Sequence, residues 1–159
     1  MIPSSHVEIL RILTRHGVPF LIIGGHAVNF HGHIRATEDV DVIWVRSPDS
    51  ERQLLAALTE LNAQSIGNEI DPATHLEKLI PISERFVQVT HLMVLVTDRG
   101  FLDLFDFIPG FPDADVQAVF AHGRESKGFR YVSLDWLRKM KEVSARPQDM
   151  IDLENLPTE

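Results

Sequence analysis

Apolar residues along the chain follow two different periods, and the switches between them mark the elements. In "SSHVEILRILTRHG" the residues Val7, Ile9, Leu10, Ile12 and Leu13 lie on one side of a 3.6-residue repeat. Ser5 and Glu8 have capping-box spacing and Gly17 stands as a stop, so the segment predicts an amphipathic helix. "VPFLIIGG" is a short, continuous, branched apolar run closed by glycines, the pattern of a strand buried on both faces. "GHAVNFHG" predicts a short helix packed behind it, "RATED" a polar connection, and "DVDVIWV" a second strand.

"PDSERQLLAALTELNA" predicts a helix with Asp49 or Ser50 as its cap and Leu54, Leu55, Leu58 and Leu61 on one face. Between residues 64 and 89 the pattern is least legible, with a short helix expected near "PATHLEKL". "HLMVLVTDRGFLDLFDFIPG" predicts two strands joined at "DRG", "DADVQAVFAHG" a short helix and "GFRYVS" a short strand. "SLDWLRKMKEVSA" and "RPQDMIDLENL" predict two closing helices at about residues 133–156. Trp44, Trp136, Met93 and Met140 are expected in the core. No repeat or low-complexity linker interrupts the chain. At 159 residues and 44% hydrophobic content it can bury one core, so residues 1–159 are expected to form a single domain.

The formal charge of −8 argues against a protein that coats nucleic acid, because phosphate binding needs clustered cations. Seven basic residues nevertheless fall between Arg124 and Arg146, against three acidic ones. Within that segment Arg130, Arg138, Lys139 and Lys141 form either a solvated helix face or a cationic wall that draws in phosphates. The absence of cysteine excludes thiol chemistry and disulfides and fits a cytoplasmic location. No apolar run approaches the roughly 20 residues of a membrane helix, and "MIPSSHVEIL" is no signal peptide, so no membrane partner is expected.

The candidate chemistry starts in "DVDVIWV". On a strand, Asp39 and Asp41 project together while Val40 and Val42 project to the other face. Two carboxylates held so close repel each other, and apolar surroundings strip their solvation, so they ask for a cation between them. Mg²⁺ suits the oxygen ligands and leaves positions for phosphate oxygens. The plainer readings are an acidic strand facing solvent, or an ion pair between Arg35 and one of the two. In "GFLDLFDFI", Asp103 shares a face with Phe101, Phe105 and Phe107, and becomes a third metal ligand if its strand lies beside the first pair. Asp106, on the other face, reads as a capped or solvent-reaching strand end. Gly24 and Gly25, at a strand–helix junction, would let backbone N–H groups approach a phosphate. His26, His31 and His33 lie close in sequence but match no zinc spacing; packing or a ligand contact suits them better.

"IIGGHAVNFHGHIRATEDVDV" resembles the opening motif of the DNA polymerase β-type nucleotidyltransferase superfamily: an apolar strand, Gly-Gly or Gly-Ser, a helix, then Asp-apolar-Asp-apolar. Its particular form resembles the minimal bacterial nucleotidyltransferases that include the AbiEii-like toxins of toxin–antitoxin systems. The likeness continues in "FLDLFDFIPG", where Asp103 matches the third carboxylate, and in "SLDWLRKMKEVSARPQDMIDLENL". The resemblance implies an α+β fold, an α/β palm with a small mixed β-sheet flanked by helices. It implies Mg²⁺ or Mn²⁺ held by Asp39, Asp41 and Asp103, and transfer of a nucleoside monophosphate from an NTP such as ATP to a hydroxyl acceptor: an RNA end, a protein or a small molecule. By the same matching, Lys141 would contact the triphosphate, Asp149 or Asp152 would assist, Arg35 would steady the triphosphate or the carboxylates, and Thr37 would cap the turn before the strand. An antitoxin partner is a further implication. Two features depart from the family: Gly25 stands where serine is frequent, and the chain is too short for the helical domain that grips the acceptor in fuller members. The alternative expectation is a catalytically silent nucleotide- or partner-binding module of this fold.

Overall fold

A computed structural model describes residues 2–158 of the chain. Helix α1 (Ser4–Arg15) buries Ile9, Leu10, Ile12 and Leu13, as its periodicity predicts. Its start differs from expectation: Pro3, with φ −55°, already fits the helix entry, so Ser5 lies inside the first turn and no side chain caps the end. Strand β1 (Phe20–Ile23) leads directly into α2 (Gly24–Phe30), and β2 (Asp39–Trp44) follows. Helix α3 (Pro48–Glu60) begins earlier than expected because Pro48 fits its first position. The cap is therefore Ser47, whose Oγ accepts from the Ser50 N–H at 3.0 Å while Ser50 Oγ accepts from the Ser47 N–H at 2.7 Å.

The poorly legible region is a hairpin of β3 (Gln64–Ile70) and β4 (Glu77–Pro81), followed by α4 (Glu84–Val89). The helix expected at "PATHLEKL" does not form. Asp71 Oδ1 accepts from the Ala73 N–H at 2.8 Å, closing a turn that reverses the chain. Strands β5 (Leu92–Thr97) and β6 (Gly100–Phe105) form the expected hairpin, and α5 (Val116–Ala121) follows. The expected strand near "GFRYVS" is the second half of another hairpin, β7 (Arg124–Ser126) with β8 (Phe129–Tyr131). Lys127 and Gly128 turn it, both at positive φ, as a two-residue hairpin requires. Helices α6 (Leu134–Ser144) and α7 (Pro147–Asn155) close the chain. No helix among the described residues is long and apolar enough to cross a membrane.

The strands form one mixed sheet in the order β4-β3-β5-β6-β2-β1-β8-β7. The pairs β2–β6 and β1–β8 are parallel and the rest antiparallel. Val40, Val42 and Trp44 face a core shared with α1 and α3, including Leu10, Leu13, Leu54 and Leu58. Ile43, Leu21 and Ile23 face a second core with Val28, Leu137 and Met140. Fully burying each large apolar side chain is worth about 1.5–3 kcal/mol, so the valines and Trp44 hold β2 in register against the repulsion between its two carboxylates. One row of partners crosses four strands: Val94 on β5, Asp103 on β6, Asp41 on β2 and Ile23 on β1.

Candidate active site

The register of β2 and β6 does what the strand periodicity alone leaves open. Asp41 and Asp103 are direct partners across the parallel pair, and Asp39 lies one step along the same face. Each of the three offers a carboxylate oxygen within 4.8 Å of the others. Burial first, then the negative charges of Asp103 and Asp39, push the Asp41 carboxyl up to about 7. Burial and Asp39 push Asp103 up as well. The donor set suits Mg²⁺ or Mn²⁺: it is all oxygen and anionic. Oxygens on one Mg²⁺ lie at most about 4.2 Å apart, so only small side-chain rotations are needed.

Gly24 and Gly25 make room for this cluster. Gly24 has φ +65°, and a Cβ there would collide with the Asp41 carboxylate. A Cβ on Gly25 would strike the Thr37 side chain and come within 3.1 Å of Arg35 Nη1. This explains why glycine stands where the related pattern often has serine. Thr37 Oγ donates to the Asp39 carbonyl at 3.3 Å, closing the turn before β2 as expected.

A second charged cluster joins the closing helices to the loop ahead of β2. Lys141 Nζ, only 7% exposed as a residue, lies 3.0 Å from Asp149 Oδ1 and 2.9 Å from Asp152 Oδ2. Arg35 donates to both oxygens of Asp152, from Nε at 2.8 Å and Nη2 at 2.9 Å, and Gln148 adds a third bond at 2.9 Å. Asp149 Oδ2 accepts from Arg146 Nε at 2.9 Å. Burial alone would raise Asp149, but Arg146, Ser144 and Lys141 outweigh it and hold the group well below the usual carboxylate range. Against the same opposing burial, Arg35, Lys141 and Gln148 hold Asp152 low. Arg35 therefore pairs with Asp152 and not with Asp39 or Asp41. Asp149 and Asp152 are partners of Lys141 and lie outside the metal-competent triad.

Two cavities open on the carboxylates. One, about 550 Å³, is polar and includes Gly24, Gly25, Arg35, Thr37 and Gln148. The other, about 210 Å³, has Asp103 with Phe105, Pro109, Leu137 and Met140. Asp39, Asp41, Lys141 and Arg146 belong to both. Arg146 is the residue that sequence reasoning missed: it stands between the two closing helices, and nothing in the local pattern shows that this junction returns to the triad.

Other expectations resolve differently. His26 hydrogen-bonds His6 at 2.8 Å, His31 Nε2 meets the Val132 carbonyl at 2.7 Å, and His33 lies 3.9 Å from Asp152, so the three histidines do not converge on a metal. Burial and then His6 push His26 down to about 4. The cationic wall does not form. Arg130 pairs with Glu125, Lys139 with Asp135, and Arg138 donates to carbonyls at the end of α7. Asp106 is nearly buried rather than solvent-reaching, held by Arg46 Nε at 2.8 Å and His91 Nδ1 at 2.8 Å. Trp44, Met93 and Met140 are in the core, while Trp136 is half-buried against Phe111.

No protein-family model matches the chain, and no curated protein sequence matches it. Solved structures do. The lincosamide antibiotic adenylyltransferase LnuA, with lincomycin bound, aligns at 15% identity and a TM-score of 0.59 over 99% of this chain and 98% of its own. JHP933 from Helicobacter pylori aligns at 14% identity and TM-score 0.46 over 96% of this chain and 66% of that one. A nucleotidyltransferase from H. pylori aligns at 14% identity and TM-score 0.42 over 88% and 59%. The chain thus spans 66% and 59% of the two H. pylori chains. This chain has a nucleotidyltransferase fold.

Proposed function

We propose that the protein is a metal-dependent nucleotidyltransferase that moves a nucleoside monophosphate from an NTP to a hydroxyl acceptor. The observation that carries this reading is the convergence of Asp39, Asp41 and Asp103 from two strands beside the Gly24 turn. When bound, Mg²⁺ or Mn²⁺ neutralises phosphate charge and lowers the pKa of an attacking hydroxyl. The chain's own part is positioning. The polar cavity with Gly24, Gly25 and Arg35 is the place for phosphates, and the β2–β6 register holds three ligands without a flexible loop.

The acceptor is proposed to arrive from the opposite side, because attacking and leaving oxygens lie roughly in line in such transfers. Beyond Asp103 the sheet exposes Leu92, Val94 and Phe101, at 43%, 39% and 47%. This strip carries no Lys or Arg, which suits a small hydroxylated molecule with an apolar body better than a polyanionic RNA end. LnuA, which shares this fold, is a lincosamide antibiotic adenylyltransferase with lincomycin bound, an acceptor class other than RNA. The AbiEii-like branch, and with it a toxin role and an antitoxin partner, rests on the motif spacing from Gly24 to Asp41. A silent nucleotide- or partner-binding module is the second reading, favoured by the full engagement of Lys141 with Asp149 and Asp152.

The test is melting with each NTP and Mg²⁺ or Mn²⁺, then transfer of label from α-labelled NTP to RNA, protein or small molecules. Stabilisation lost in Asp39→Asn and Asp41→Asn supports the reading. Unchanged melting with every NTP and metal overturns it, while nucleotide binding without any transfer selects the silent module.

A further inference from the structure

Three cations line the cavities around the triad, and two of them are already spent. Lys141 lies between Asp149 and Asp152, and Arg35 donates to both oxygens of Asp152. Arg146 gives its backbone N–H and, from its side chain, only Nε to Asp149. Its two Nη groups have no partner among the described residues, and its side chain is 75% exposed. Asp39, Asp41 and Asp103 add negative charge to the same cavities, and of the three cations only Arg146 has an outer edge that no carboxylate engages. Arg146 also borders both cavities together with Asp39 and Asp41.

We propose that Arg146 is the residue that grips the outer phosphates of the bound triphosphate, with Asp149 holding its guanidinium in place. This rests on the nucleotidyltransferase reading. An arginine anchored through Nε presents its remaining N–H groups as a pre-set fork, and that fork suits two phosphate oxygens. The anchor removes much of the side-chain entropy that a free surface arginine loses on binding. Lys141 then has a different part: it keeps Asp149 and Asp152 charged and in place, and so orients Arg146 indirectly. The assignment differs from the one that the sequence motif implies, in which Lys141 itself meets the triphosphate.

The test is calorimetric titration with α,β-methylene ATP, inorganic tripolyphosphate and AMP, each with Mg²⁺, on wild type, Arg146→Gln, Arg146→Lys and Arg138→Gln. Arg138 bonds the carbonyls at the far end of α7, so its variant loosens that helix without touching the cavities. In Arg146→Gln the affinity for both triphosphate probes falls by roughly tenfold or more while that for AMP holds, and Arg146→Lys recovers part of the loss. Equal loss for AMP, an equal loss in Arg138→Gln, or no loss at all overturns the assignment of Arg146 and leaves the function reading intact. A wild type that binds none of the probes with any divalent metal overturns both.

Discussion

Asp41 and Asp103 face each other across two adjacent parallel strands, at the same register position and on the same side of the sheet. Neither carboxylate reaches this arrangement through local structure. A one-residue slip of β6 would turn Asp103 to the opposite face, into the core that holds Leu102 and Leu104. Apolar packing on that far face thus sets the geometry of the charged cluster on this one.

Removing one member of the cluster should separate stability from activity. Asp41→Asn ends a like-charge repulsion in a partly desolvated site, so the metal-free protein should gain on the order of 1–2 kcal/mol at neutral pH. The same variant should lose transfer by at least about 100-fold. Urea unfolding without metal, paired with pyrophosphate release, checks both. A variant that is less stable and still active would show that the cluster is not a metal site.

The pH dependence has a definite sign. Asp41 titrates near 7 in the folded chain and at 3.8 as a free group, so the folded state holds the extra proton between those values. Stability of the metal-free protein is therefore fullest from this group below about 4 and falls as pH rises through 7. Metal binding requires the ionised form, so Mn²⁺ affinity should rise over the same window and proton release should accompany binding. Unfolding measured from pH 5 to 8 with and without Mn²⁺ should give slopes that differ in this sense.

Lys141→Met should destabilise the chain by about 3 kcal/mol, because Asp149 and Asp152 lose a buried partner and remain charged. The loss should appear first as faster hydrogen exchange in α7, which carries both carboxylates. Uniform exchange across all elements would count against a clamp specific to that helix.

Gly25→Ser should be destabilising even though related patterns carry serine there, since its Cβ meets Thr37. Roughly 1–3 kcal/mol is expected for such overpacking. Thr37→Gly in the same chain, which removes the Thr37 Cβ as well as its Oγ, should recover much of it. A double-mutant cycle in thermal melting measures the coupling, and additive effects would refute the contact.

Much of this molecule was legible before any tertiary structure. The helical repeat of Ile9, Leu10 and Leu13, the branched run ending at Gly24, and the Asp39–Asp41 alternation each depend on periodicities that the backbone enforces locally. The hairpin of β3 and β4 was not legible. Leu76, Leu79 and Ile80 remain exposed there, so burial writes no clear period into that stretch, and the turn is set by the Asp71 side chain. At the site, the sequence alone singled out the carboxylates that come together, Asp39, Asp41 and Asp103, and the glycine pair beside them. Only the tertiary structure decided their partners. It placed Asp103 beside Asp41, turned Arg35 to Asp152, enclosed Lys141 and left Arg146 open, because ion pairing between distant segments depends on how helices α6 and α7 pack back against the sheet and not on spacing along the chain.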